Sequence, residues 1–274
     1  MAEHLKIYGD ATVGGGTFDK VRIYGDGLIT NEVVANSIKV YGDATFEGRV
    51  EAKSIKVMGD CEFKDHVMCD SVSIYGDTTF EGSLDIKLLK IRGMATMSGE
   101  SVVESIQSMG ACVVNGMLKS ERLTSYGSLD GDGSIKVHTL MSQGEIRTRG
   151  ELEGEYLNIH GAIHNAKLIN GEEIYIVLNE HCRCESIGAT KLTVSPSKKK
   201  RVRKTLTVNQ VEGDEVNLTY TLAKRVHGEK VIIGAECHID YVEYSKDLTT
   251  RTHNHGLSQE VGENGTGEKI RVRP

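Results

Sequence analysis

Histidine and cysteine are the side chains of this sequence with the most chemistry to offer, at ten and six copies. Their densest grouping is His164, His181, Cys182 and Cys184, and two imidazoles with a thiolate are a set that holds zinc. The grouping has neither a C-x-x-C pair nor an H-E-x-x-H helix to support it, so no metal ligand is assigned. A second candidate is the basic run Lys198, Lys199, Lys200, Arg201, Arg203 and Lys204. Such a run can meet anionic lipid at about 1 kcal/mol per basic residue, or nucleic-acid phosphate. Six charges without interleaved aromatics carry little specificity. The run reads first as a solvated loop, with an anionic membrane surface as its candidate contact and no nucleic-acid partner expected. No Gly-x-x-x-x-Gly-Lys-Ser/Thr loop is present to cradle a nucleotide, and no cofactor is expected.

The elements that position these residues follow from a repeat. Glycine recurs at Gly9, Gly25, Gly42, Gly59, Gly76, Gly93, Gly110, Gly127, Gly144 and Gly161, one interval of 16 followed by eight of 17. A period of this size marks a supersecondary unit that stacks on copies of itself, because one unit cannot bury its own apolar face. Within a unit the apolar residues come as i, i+2 pairs: Ile55 and Val57, Cys61 and Phe63, Val67 and Cys69. That alternation belongs to strands with one buried face. Three short strands per 17-residue coil predict an all-β fold, a right-handed β-helix.

Residues 17 apart agree in character, as stacked positions must. The first face runs through Val21/Ile23, Ile38/Val40, Ile55/Val57 and Val72/Ile74, and on to Leu157/Ile159 and Ile174/Ile176. The corners are expected to need positive φ, which glycine reaches without strain. Asn31 and Asp65 stand in a second glycine series and tolerate that conformation better than most residues. By the same rule His164 is expected to stack on His181, with Cys182 pointing inward.

The repeat places about eleven coils in residues 1–194, a basic loop at 195–204, further coils at 205–246 and a disordered tail at 247–274. The lack of tryptophan and the 31 glycines fit a narrow interior. Three cysteines at inward positions, Cys61, Cys69 and Cys112, read as small hydrophobes rather than as a disulfide framework. With no secretory signal pattern before Leu5 and no long apolar run, the expected location is the cytoplasm, with membrane association through the basic run.

Outward positions also form columns. One carries Tyr8, Tyr24, Tyr41, Tyr75 and Tyr126; beside it run a basic column at Lys6, Arg22, Lys39, Lys56 and Lys90 and an acidic one at Asp10, Asp26, Asp43, Asp60 and Asp77. Mutual compensation of the two charged columns around the corner is the simplest expectation.

Units such as Ile38-Lys-Val-Tyr-Gly-Asp-Ala-Thr-Phe-Glu-Gly-Arg-Val-Glu-Ala52 resemble those of the bactofilins, bacterial polymer-forming cytoskeletal proteins. The likeness covers about residues 5–194, and the segment Val231 to Tyr244 is similar to the C-terminal part of a Gram-positive branch of that family. The resemblance implies a right-handed β-helix that polymerises end to end without nucleotide and scaffolds envelope, shape or motility machinery. It implies no enzyme. The residues point the same way: a β-helix ends in unpaired strands, unprotected edges recruit strands, and a contact between unlike ends does not close. Leu5, Ile7, Val13 and Phe18 of the first coil are the expected polymer interface, and the partner is another copy, head to tail or head to head. A tail that buried the C-terminal pole would block the head-to-tail form.

Two alternatives stand beside this reading. Ile233-Gly234-Ala235-Glu236-Cys237 is similar to one hexapeptide of the left-handed β-helical acyltransferases, which use a histidine between coils; it occurs once, and their coil is normally 18 residues built from equal sides. A monomeric solenoid binding module is the other.

Overall fold

Alternation with a period of two forbids helices, and every regular element among the described residues is a strand. The structure, a computed structural model, describes residues 3–198 and 204–250 together with the strands Leu257–Gln259 and Ile270–Val272. It is an all-strand parallel β-solenoid of about 14 turns with equivalent residues about 17 apart. The chain groups into two units, Met1–Val137 and His138–Pro274.

In the first unit each coil joins one long strand to one short one. The long strands Val33–Val40, Val50–Val57, Val67–Ile74 and Leu84–Ile91 have eight residues each. Their burial switches phase in the middle, so one strand supplies two of the three expected faces. In Val50–Val57 the inward residues are Val50 and Ala52, then Ile55 and Val57. The pairing skips the residue between, since Ala35 meets Ala52 and Ser37 meets Ser54. The short strands Ala44–Phe46, Cys61–Phe63 and Asp77–Phe80 supply the third face.

Strict 17-residue register follows: Ile38 pairs with Ile55 and Ile55 with Val72. Like side chains therefore meet in the interior. Phe46, Phe63 and Phe80 are fully buried and stack with ring centroids 5.0 and 5.2 Å apart. Phe63→Ala would leave a void held open by its two ring neighbours, and a loss of about 3–5 kcal/mol is expected. Glu62→Ala, on the outward face of the same strand, should stay within about 0.5 kcal/mol. Denaturant midpoints of the two variants check the difference.

The corner glycines have a different cause from the one expected. Among the described residues only Gly16 and Gly131 are glycines at positive φ, and Asn31 and Asp65 do not have it either. Glycine is needed at the corners because successive coils nearly touch there. A Cβ on Gly25 would lie 2.8 Å from the carbonyl oxygen of Gly9, and one on Gly76 would overlap the carbonyl oxygen of Gly59. In this column, from Gly25 to Gly127, the missing Cβ faces the coil that precedes it in sequence.

In the second unit the strands lengthen, from Glu151–Leu178 through His181–Pro196, Thr205–Leu218, Thr221–Ile233 and His238–Thr250. The first face continues through Ile174, Leu192, Val216, Val231 and Leu248. The basic segment lengthens one coil, Leu192 to Val216, without breaking the parallel ladder. It was expected to interrupt the stack; backbone pairing on either side of it carries the stack past. The last coil closes at Thr250, and Asp247 pairs with Lys230. Residues 251–256, 260–269 and 273–274 of the expected tail lie outside the described residues. The two tail strands run antiparallel: Ile270–Val272 pairs with the Ile239 to Val242 stretch, and Leu257–Gln259 pairs with Ile270–Val272.

Candidate functional site

The first coil is the place where the repeat leaves chemistry unfinished. Its strands Glu3–Ile7 and Ala11–Val13 pair with Gly16–Ile23 and Gly27–Ile29, each on one side only among the described residues. The other side presents backbone N–H and C=O groups without a ladder partner, the condition that recruits strands. Its apolar residues are also less covered than their counterparts. Leu5 and Val13 are half-buried, whereas Val21 and Ile29 one coil later are fully buried. Ile7 is itself buried, at 3% exposure. At the corner, a Cβ on Gly9 would meet nothing within 4 Å, in contrast to Gly25 and Gly42 above it.

Phe18 departs from the expected interface. It pairs with Ala35 on one side and with Glu3 on the other, so it lies one layer in from the edge. There it lines a shallow groove of about 450 Å³ that continues past Ala35, Ala52 and Cys69. Leu5, Ile7 and Val13 are brought to one edge; Phe18 is not.

At the other end of the described ladder, the strand Ile270–Val272 lies antiparallel on part of the last coil. The two ladder ends thus differ: backbone of the chain itself occupies part of the second, and none among the described residues occupies the first.

Of the basic run, Lys198 and Lys204 are among the described residues. Lys198 is exposed, whereas Lys204 is only 6% exposed and its Nζ donates to the carbonyl oxygen of Ser197 at 2.6 Å. A lysine held that way faces the protein rather than a surface. Lys199, Lys200, Arg201 and Arg203 lie outside the described residues.

The zinc grouping also comes apart. His164 pairs with Arg183 rather than with His181, because the two strands are offset by 18 residues from Ala166 onward and by one more at His164, where the ladder slips and Asn165 takes φ 61°. Cys182 and Cys184 point inward and are buried, and no cluster of three metal-binding side chains occurs among the described residues. Burial pushes the thiols up, Cys69 and Cys182 to about 11 and Cys112 and Cys184 to about 12. All six cysteines are free and buried, and such thiols hold no nucleophilic thiolate at neutral pH.

The outward columns are the remaining feature. Tyr8, Tyr24 and Tyr41 stack with centroids 5.1 and 4.9 Å apart and planes within 4° of parallel. Further along, Arg92 lies over the ring of Tyr75 at 4.9 Å, and its Nη1 donates to the Tyr75 hydroxyl at 2.7 Å. The charged columns do not compensate each other as expected: no ion pair joins Lys6, Arg22, Lys39 or Lys56 to any aspartate of the neighbouring column among the described residues. The corner separates them: each base lies in a long strand, as Lys39 does in Val33–Val40, and each aspartate follows the corner, as Asp43 does just before Ala44–Phe46. Sequence reasoning foresaw the columns. It missed the antiparallel tail strands, since two three-residue strands carry no periodic signal.

Among known proteins, the chain is 38% identical over 89 residues to the uncharacterized protein YhbE of Bacillus subtilis (strain 168). That match spans 30% of this chain and 38% of YhbE. No protein-family profile matches the chain. No solved structure matches it either. Among the described residues no helix is long and apolar enough to cross a membrane.

Proposed function

We propose that this β-solenoid is a structural protein that assembles with copies of itself through the edge of its first coil, as the bactofilin resemblance implies. In this reading it is a nucleotide-independent cytoskeletal scaffold for envelope, shape or motility machinery, and not an enzyme. One observation carries the reading: Leu5, Ile7, Val13 and Gly9 form a coil edge that keeps the stacking pattern of the interior while nothing among the described residues stacks on it. An apolar coil surface of this kind gains about 25 cal/mol per Å² when a second coil covers it. The strand lying on part of the last coil makes the first coil the more open of the two ladder ends.

The test is Ile7→Lys. Only a terminal coil of a nearest-neighbour stack is disturbed, so the circular dichroism of the variant should keep its β signal. Sedimentation and negative-stain microscopy should show the wild type as long assemblies, with or without ATP or GTP, and the variant as small species. Long assemblies of Ile7→Lys would remove the first-coil edge from the mechanism.

A further inference from the structure

The corner of the first unit repeats one outward triplet. Four successive rungs, from Lys6–Tyr8–Asp10 to Lys56–Met58–Asp60, carry a base in the long strand, a large apolar side chain at the corner and an aspartate beyond it, Asp10, Asp26 and Asp43 lining the side of the short strands. The crest is open: Tyr8 is 71% exposed, Tyr24 42%, Tyr41 40% and Met58 46%. Elsewhere on this unit charges find partners, as Lys87 does with Asp70 at 2.6 Å and Lys119 with Glu100 at 2.9 Å. On these rungs no ion pair forms among the described residues; Asp43 Oδ1 accepts only the Asp60 N–H, at 3.4 Å, and Lys56 lies over the Tyr75 ring at 4.8 Å. Like charges therefore stand one strand spacing apart, roughly 4.8 Å, inside the screening length of about 8 Å at physiological salt.

We propose that this crest is a lateral docking surface for a second copy of the chain lying in the same direction, with each rung facing its own counterpart. Two features select that occupant. The charges repeat at the spacing of stacked strands, and a partner that matches every rung must carry the same repeat, which another copy does. The order of the columns then fixes direction. A two-fold axis parallel to the stacking direction sets each basic column against the partner's acidic column. A two-fold axis across it sets base against base and acid against acid. Opposite signs met rung by rung give specificity and register, and the crest supplies apolar area between them. Such a contact is isologous and closes as a pair. It is independent of end-to-end assembly, which uses the edge of the first coil.

Two experiments on the full chain test it. Tyr8→Cys and Met58→Cys each place one accessible thiol on the crest, while the six native cysteines are buried. With a short bis-maleimide, each variant should link to itself. A reversed arrangement of the four rungs would instead link Tyr8→Cys to Met58→Cys in a mixture and neither to itself, which would overturn the proposal. In the second experiment, Lys6, Arg22, Lys39 and Lys56 are changed together to Glu in one chain, and Asp10, Asp26, Asp43 and Asp60 to Lys in another. Each alone should lose the cross-linkable pair by at least tenfold, with β signal retained, and an equimolar mixture should regain it. Pairing of either charge variant with itself at wild-type strength would equally overturn the proposal.

Discussion

Ile55→Asp is expected to unfold the coils around it, while Lys56→Asp, one residue along the same strand, leaves them standing. Ile55 is 1% exposed and lies between Ile38 and Val72 in the ladder. A carboxylate there has no partner, and burying it costs several kcal/mol even when it protonates. Neighbouring coils share that face, so the loss spreads along the stack. Lys56 points outward and its contact is the face of Tyr75. Losing an exposed cation–π contact costs about 0.5–1 kcal/mol. Thermal unfolding followed by circular dichroism checks the contrast: a collapse of the transition for Ile55→Asp and a shift of a few degrees for Lys56→Asp. Equal shifts would contradict the alternation on which the fold rests.

That alternation is why the fold was legible in the residues. A narrow interior admits one side chain per position, so Ile38, Ile55 and Val72 had to agree in character, and their spacing states the register directly. The same logic found the glycine column but assigned it the wrong cause. Spacing reports that two residues coincide in the stack, whereas the distance between their backbones is a property of the packed coil. Legibility faded where the period did. An 18-residue coil and a further slip of one at Asn165 together moved His164 from His181 to Arg183, and single inserted residues of this kind have no signature in residue type. Lys204 read as solvated because five like charges precede it in sequence; its burial and its bond to Ser197 are contacts that residue type does not announce. At the candidate edge, Leu5, Ile7 and Val13 were legible as a first coil, but Phe18 was misplaced by one layer because Glu3 carries no apolar signal for the strand that pairs with it.

The pair Gly76→Ala and Gly9→Ala separates folding from assembly at one structural position. A Cβ on Gly76 would overlap the carbonyl oxygen of Gly59 and lie 2.8 Å from its carbonyl carbon. Backbone cannot yield there without prying two coils apart, so a loss of roughly 3 kcal/mol is expected, at the upper end for overpacking. Gly9 occupies the same corner of the first coil, and a Cβ there meets nothing within 4 Å. Neither residue is among the glycines at positive φ, so space alone decides. In an isolated chain Gly9→Ala should be neutral or stabilising by about 0.4–1 kcal/mol, through the entropy of the unfolded state. The direction of the missing Cβ gives the consequence for assembly. Along this corner it faces the preceding coil, and at Gly9 it faces the space that a docked copy would fill. Gly9→Ala should therefore keep the melting temperature and lose the long assemblies in sedimentation, while Gly76→Ala lowers the melting temperature by several degrees. A Gly9→Ala protein that both melts and sediments like the wild type would mean that no coil stacks on this corner.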